Sequence, residues 1–436
     1  MKMKAKFFLM AGLAIGSLLV SCSSDDDSCG DAEYGALRGA ATSAVIDGAP
    51  TDPGSASAPE ADAVPSMDPA VPSADDEPAP DHEAIAIEDN NRMYSRLTAG
   101  EWNDLADWKF WTNLLNNNNF YEKPDYWKFF PKNLVVAKVV DADDNAIANV
   151  PVELMKGDAV EFATKTDNSG MAYCWINLFG SNSGDLNAED FSLRINGAPS
   201  DEALALTTIK DSELNVNIIV NDEISHPAPK ADVAFIVDAT GSMMDEIAFL
   251  VSDLDYIIGH AAASNKVALR TAALFYRDED DEYLTRHNDF AGDVAVTQKF
   301  VSQQSADGGG DYPEAVHTAL EASLQNLSWD ESARARIAFL ILDAPPHYTE
   351  NVISSLQKSI TLYAKNGIKL IPVSASGIDK DTEFLLRFFD LATGSTYVFL
   401  TDDSGIGDSH IEASVGDYEV EYLADLLVRL IKKYVE

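Results

Sequence analysis

Ala231-Asp232-Val233-Ala234-Phe235-Ile236-Val237-Asp238-Ala239-Thr240-Gly241-Ser242 is the stretch whose reading decides the fold. From Val233 to Val237 apolar residues follow one another without polar alternation. That pattern marks a strand covered on both faces, as in a parallel sheet with helices above and below it. The run ends on Asp238 and a Thr-Gly-Ser turn, and a helical pattern begins near Met243. Downstream the alternation repeats. Apolar runs at Val267–Phe275, Ile337–Leu342, Lys369–Val373 and Tyr397–Leu400 alternate with helical patterns over Glu314–Leu327, Val352–Asn366, Phe384–Leu391 and Glu419–Tyr434. Residues 231–436 therefore read as a doubly wound, Rossmann-like α/β domain. Ligands of such domains bind at the carboxyl ends of the strands, near the switch in strand order.

Chemistry-bearing residues sit at those strand ends. Asp238, Thr240 and Ser242 place a carboxylate and two hydroxyls on one tight turn, an oxygen-only set suited to a hard divalent cation. A second loop reads Asp307-Gly308-Gly309-Gly310-Asp311-Tyr312-Pro313-Glu314, with glycines that let the backbone approach closely and Asp311 just before a helix. A third reads Leu342-Asp343-Ala344-Pro345-Pro346-His347. These loops, in this order, resemble the von Willebrand factor A domain and its metal-ion-dependent adhesion site, in particular the hemicentin-type subgroup and its bacterial relatives. The resemblance implies that Asp238, Thr240 and Ser242 are first-loop ligands, that Asp311 stands where the family has a threonine, and that Asp343 is the third-loop acid. It implies Mg²⁺ as the cofactor, with Ca²⁺ the alternative, and a protein or matrix ligand that brings an acidic side chain to the metal. Asp311 departs from the pattern. A third acid strengthens cation retention and weakens the pull on an incoming carboxylate. Glu279-Asp280-Asp281-Glu282, in a hairpin loop after Phe275-Tyr276-Arg277-Asp278, reads as a solvated acidic turn, with a second calcium site as the sharper alternative. His347 is expected at the rim.

Upstream, residues 133–225 turn to short β runs separated by turns, the pattern of an antiparallel sandwich. Val140-Asp141-Ala142-Asp143-Asp144-Asn145 through Val150-Pro151-Val152, with Thr166-Asp167-Asn168-Ser169-Gly170, resembles carboxypeptidase-regulatory-like and bacterial immunoglobulin-like modules. Residues 91–132 are crowded with aromatics, and Leu105, Trp108, Trp111 and Leu115 have helical spacing. The segment reads as a helical latch whose aromatics pack on a neighbouring domain, with a platform for sugar rings as the alternative. Residues 22–90 are Ala, Pro, Ser and Asp with few aromatics, a composition that leaves an acidic stalk disordered. Lys2, Lys4 and Lys6 precede an apolar run from Phe7 to Val20, too short to span a bilayer but suited to a secretory signal over residues 1–21. Leu19-Val20-Ser21-Cys22 resembles the bacterial lipobox, which implies a lipidated Cys22 and membrane attachment through acyl chains. The acids that follow resemble a surface-export signal of Bacteroidetes lipoproteins, which implies a cell-surface position on the outer membrane.

Sign excludes one class of partner. In 436 residues, 72 acids against 31 bases give a net charge of −41, which repels a phosphate backbone, so nucleic acid is not expected. Three cysteines, Cys22, Cys29 and Cys174, form no C-x-x-C pair. The chain lacks the G-x-S-x-G, H-E-x-x-H and G-x-x-x-x-G-K-[ST] motifs, and no enzymatic activity is expected. The expected function is binding of a protein or matrix ligand through the metal face. The alternatives are an outer-membrane assembly role, with the metal only stabilising the fold, and carbohydrate binding through the aromatic segment.

Overall fold

Successive residues of the central strand serve different cores, which is why its sequence shows no polar alternation. Val233, Phe235 and Val237 point into one hydrophobic cluster and Ile236 into another on the opposite face. The computed structural model describes residues 97–117, 120–180, 186–263, 267–310, 312–375, 377–402 and 412–436. The signal segment, Cys22, the stalk, residues 91–96 and Asp311 lie outside the described residues.

The described residues begin with β1 (Thr98–Trp102), α1 (Trp108–Leu115) and α2 (Lys123–Trp127). The β-rich region follows, with β2 (Asn133–Val140), β3 (Pro151–Lys156), β4 (Ala159–Lys165), β5 (Met171–Trp175), β6 (Phe191–Ile195), β7 (Ala198–Pro199), β8 (Thr207–Thr208) and β9 (Val216–Val220). Then come β10 (Lys230–Asp238), α3 (Met244–Ala262), β11 (Ala268–Tyr276), β12 (Thr285–Ala291), α4 (Val294–Val301), α5 (Val316–Asn326) and β13 (Ala335–Leu342). The chain closes with α6 (Glu350–Asn366), β14 (Ile368–Ser374), α7 (Lys380–Thr393), β15 (Tyr397–Thr401), β16 (Glu421–Tyr422) and α8 (Leu423–Val435).

The large sheet has the order β12-β11-β10-β13-β14-β15-β1-β16. β11, β10, β13, β14 and β15 run parallel, as expected for a doubly wound domain, and β12 returns antiparallel to β11. Helices α5, α6 and α7 cover one face, and α3, α4 and α8 cover the other. Their ends carry the signals that stop and start helices. Thr349 and Asp379 accept hydrogen bonds from the Val352 and Thr382 amides at the starts of α6 and α7, and Gly367 and Gly394 close both in the left-handed conformation.

Two features differ from the expectation. The aromatic segment opens with a strand: β1 pairs antiparallel with β15, so a segment preceding the β-rich region completes the α/β sheet. Gly100 makes this pairing fit, since a Cβ there would come within 2.5 Å of the Phe399 ring. The β-rich region is mixed where an antiparallel sandwich was expected. β9 runs parallel to β2, alongside antiparallel β5 and β8, while β4-β3-β6-β7 forms the second sheet. Parallel pairing follows from the long connection through β3 to β8 that returns the chain to the same end of β2.

The aromatic segment packs as a latch. Trp108, Trp111, Phe120, Trp127 and Phe129 are buried. Phe129 stacks on Phe388 at 4.2 Å and Trp111 on Phe384 at 6.0 Å, both on α7. The indole N–H groups of Trp108, Trp111 and Trp127 donate to the carbonyls of Thr208, Pro131 and Asp381. These indoles therefore present no flat face to a sugar, which removes them as the carbohydrate platform. Nearby, Arg387 of α7 makes a bidentate pair with Asp104 (2.8 and 2.5 Å), with both side chains fully buried. The β-rich region is held by Lys369 of β14, which donates to Asp167 (3.0 Å), and by Trp175, which donates to the Leu391 carbonyl (3.2 Å). One hydrophobic cluster runs through the latch, the β-rich region and the α5–α7 layer, and all described residues fall in one compact unit.

Candidate metal centre

β10 and β13 lie side by side in parallel register, with Val237 opposite Ile341, so Asp238 and Asp343 leave the sheet together. This is the switch point: from β10 the chain winds toward β11, and from β13 toward β14. Backbone hydrogen bonds lock the surrounding loops. The Asp307 amide donates to the Ala239 carbonyl (3.1 Å), the Gly241 amide to Gly308 (3.2 Å) and the Glu314 amide to Pro345 (2.9 Å). Buried Arg277 donates to the carbonyls of Ala239 (3.1 Å) and Ser305 (2.9 Å), tying the first loop to the chain that leads into the second.

Within this frame the Thr240 amide (2.9 Å) and hydroxyl (2.7 Å) both donate to Asp238 Oδ1. Ser242 lies close enough to Asp343 to favour its charged form. The remaining carboxylate oxygens are orphaned: Asp238 Oδ2, Asp343 Oδ1 and Glu314 Oε2 are buried without a hydrogen-bond partner. Such atoms are rare in folded proteins. Burial, with Asp343 nearby, pushes the Asp238 carboxyl up to about 7 against the opposing Thr240 bonds. Burial raises Asp343 too, opposed by Ser242. Glu314 is pushed up to about 9 by burial and by Asp238, Asp278 and Asp343, and Glu246 up to about 7, mainly by burial. Each shift has the sign of a carboxylate taken out of water, with neighbouring acids adding to it for Asp238, Glu246 and Glu314.

The residues fit a hard divalent cation. Among the described residues no three acids, histidines or cysteines form a cage by themselves, and the set that converges here adds two hydroxyls to its carboxylates. Asp238, Thr240, Ser242 and Asp343 would hold the ion, which leaves coordination positions for water or a partner's oxygen.

The structure brings together the first-loop residues and Asp343. Three further side chains lie beside these: Glu314, which closes the second-loop motif, and Glu246 and Tyr276, which carry no motif signal. Glu314 reads in sequence as the start of a helix, yet it pairs with Pro346 ahead of α5. Glu246 is the buried acid in the first turn of α3, where helical spacing from Ser242 points to it. Tyr276 ends β11 opposite Asp238, inside an apolar run. The acidic hairpin loop acts as a bracket: Asp281 Oδ2 accepts the amides of Gly309 (2.9 Å) and Asp278 (3.2 Å). His347 pairs with Asp278 at 2.8 Å.

Residues 232–366 match the family model of the von Willebrand factor A domain. The chain contains a von Willebrand factor A domain. Over 129 residues it is 31% identical to an ariadne-like RING finger protein of Acanthamoeba polyphaga mimivirus, a match covering 30% of this chain and 12% of that relative. Among solved structures, the pilus adhesin SpaC from Lactobacillus rhamnosus GG matches with a TM-score of 0.34 at 10% identity, covering 47% of this chain and 30% of that one. The A-domain match spans β10 to α6, and so includes the first and third loops with Asp238 and Asp343.

Proposed function

We propose that the A domain binds a protein or matrix ligand in a divalent-cation-dependent manner, with the cation held by Asp238, Thr240, Ser242 and Asp343, and Asp311 contributing from the second loop. One observation carries this reading: two acids that leave adjacent parallel strands at the switch point each bury a carboxylate oxygen without a hydrogen-bond partner. A cation there supplies the missing charge, and its open position accepts an acidic side chain of the ligand. Either Mg²⁺ or Ca²⁺ suits this set of oxygens. Among the described residues no helix is long and apolar enough to cross a membrane. We assign membrane attachment to lipid on Cys22, with the stalk of residues 22–90 carrying the folded unit away from the outer membrane at the cell surface.

Calorimetric titration of Mg²⁺ and Ca²⁺ into the chain from Ser23 onward tests the site, with Asp238→Ala of verified fold as control. Saturable binding lost in the control supports the reading and sets up ligand capture with and without chelator. A well-folded, cation-free protein that binds neither ion rejects it. An Asp238→Ala chain that fails to fold where the cation-loaded wild type folds favours a purely stabilising metal.

A further inference from the structure

Arg336, at the amino end of β13, lies at the opposite end of that strand from Asp343, and there it meets a second base with no acid between them. It is 2% exposed. Its Nε donates to the Asn366 carbonyl (2.8 Å), Nη1 to the carbonyls of Asp330 and Ala333 (2.9 Å each) and Glu331 (3.4 Å), and Nη2 to Asn149 Oδ1 (2.5 Å). Every acceptor is neutral, and the end of α6 adds only the fractional charge of a helix terminus. Lys165, which closes β4, has neither a hydrogen bond nor an ion pair among the described residues. Gly367, at φ +66°, lets the two bases approach: a Cβ there would lie 2.9 Å from Lys165 Cβ, 3.2 Å from Lys165 Cδ and 3.2 Å from Arg336 Nη2. Burial, with Arg336 second, pushes the Lys165 amine down to about 8 against Glu331. Burial pushes the Arg336 guanidinium down to about 10 against Asp232, Asp330 and Glu331. Asp232 and Asp330 are committed to Arg270 and Lys230, and exposed Glu331 meets Arg336 through its backbone carbonyl. Buried Arg387 and Lys369, by contrast, each hold a carboxylate. In a chain of net charge −41, two neighbouring cations without a counter-charge stand apart.

Lys165 and Arg336 line a cleft of about 450 Å³ between the β-rich region and the A domain, walled on one side by Leu324, Leu327 and Trp329. The three N–H groups of the Lys165 amine and one on Arg336 Nη2 have no acceptor. We propose that these donors bind a doubly charged tetrahedral oxyanion, a sulfate or phosphate group. Two adjacent cations match two negative charges, whereas a single carboxylate leaves one cation in excess. The apolar wall beside the bases has room for the remainder of a ligand that carries the group. One such group is a small demand beside the phosphate backbone that the overall charge repels. The site needs no cation at the carboxyl ends of the strands.

The test is calorimetry with sodium sulfate, sodium phosphate and sodium acetate, at ionic strength matched with sodium chloride, on the chelator-treated and dialysed chain from Ser23 onward. Wild type is compared with Lys165→Gln and with Lys299→Gln, an exposed site on α4, and circular dichroism verifies each fold. Wild type should bind sulfate or phosphate saturably and about tenfold or more tightly than acetate. Lys165→Gln should lose about tenfold or more of that affinity, and Lys299→Gln should keep it. A sulfated monosaccharide separates the sources of the group: tighter binding than inorganic sulfate supports a group carried on a larger ligand, and equal binding supports the free ion. If Lys165→Gln does not fold, acetylation of wild-type Lys165, followed by mass spectrometry, should slow with sulfate and not with chloride. Absence of sulfate and phosphate binding, binding no tighter than acetate, an unchanged affinity in Lys165→Gln, or a Lys165 that sulfate leaves unprotected overturns the proposal.

Discussion

Replacing Asp238 by asparagine should stabilise the cation-free protein at alkaline pH while abolishing its response to cations. The carboxyl is fully buried and its folded value is raised from 3.8 to about 7, by burial first and Asp343 second. A rise of roughly three pH units corresponds to about 4 kcal/mol. The folded state holds this proton more tightly than the unfolded state. The penalty is therefore absent below the unfolded value, grows as pH rises through the interval, and is complete above the folded value. Chelated wild type should lose stability between about pH 4 and pH 7, and Asp238→Asn should lack that component. The asparagine amide must also find an acceptor, so the net gain at about pH 8 is expected at roughly 2 to 4 kcal/mol. A cation at about 100 times its dissociation constant should return about 2.7 kcal/mol to wild type and nothing to the variant. Urea unfolding at about pH 5 and pH 8, with chelator or with Ca²⁺, measures all four quantities. A chelated variant no more stable than wild type at the higher pH, still responding to cation, would refute the reasoning.

Other perturbations probe the supports of the site. Trp111→Ala, which removes a fully buried indole stacked on α7 and bonded to Pro131, should cost about 3–5 kcal/mol in urea unfolding. Lys369→Met leaves Asp167 buried and unpaired and should cost about 3–5 kcal/mol at neutral pH. Burial alone would raise the Asp167 carboxyl, but Lys369 and the Ser169 and Met171 hydrogen bonds hold it below 3.8, so this contribution should vanish as pH falls through that lower range. Comparing acid unfolding curves of wild type and variant isolates it. Gly309→Ala places a side chain at positive φ against Glu314 and Thr240, and should cost about 1–2 kcal/mol and weaken cation binding by calorimetry. Cys22→Ser should abolish incorporation of labelled fatty acid in cells and release the protein from the membrane fraction.

Much of the A domain is legible in the sequence because its physics is local. Strands enclosed on both faces must be continuously apolar, so β10, β13 and β14 declare themselves, and the acids that interrupt those runs fall at their carboxyl ends. Asp238 and Asp343 can be paired from the residues alone because strand order in such sheets has a known switch. Glu314 can be read as the end of the second-loop motif, but its placement cannot. A proline ahead of an acid at a loop end reads as a helix start, and only the pairing of residue 314 with Pro346 carries that carboxylate into the site. The buried pair of Asp104 and Arg387 is silent, since no local pattern links two residues that meet across 283 positions of chain.

The sequence by itself determined the parallel strands and most of the helices in residues 231–436, though not β12 or α4; it also determined where the first-loop and third-loop oxygens lie, and that the aromatic segment has surface to bury. These properties depend on hydrophobic periodicity and turn chemistry within a few residues. Tertiary structure decided that β1 adds to the far edge of the α/β sheet, that β9 runs parallel to β2, and that the aromatic segment commits its indoles to α7 and nearby backbone carbonyls. Edge pairing and long-range packing are chosen by which surfaces meet when the whole chain collapses, and a clear edge beside Phe399, opened by the missing side chain of Gly100, leaves no periodic trace in the residues that fill it.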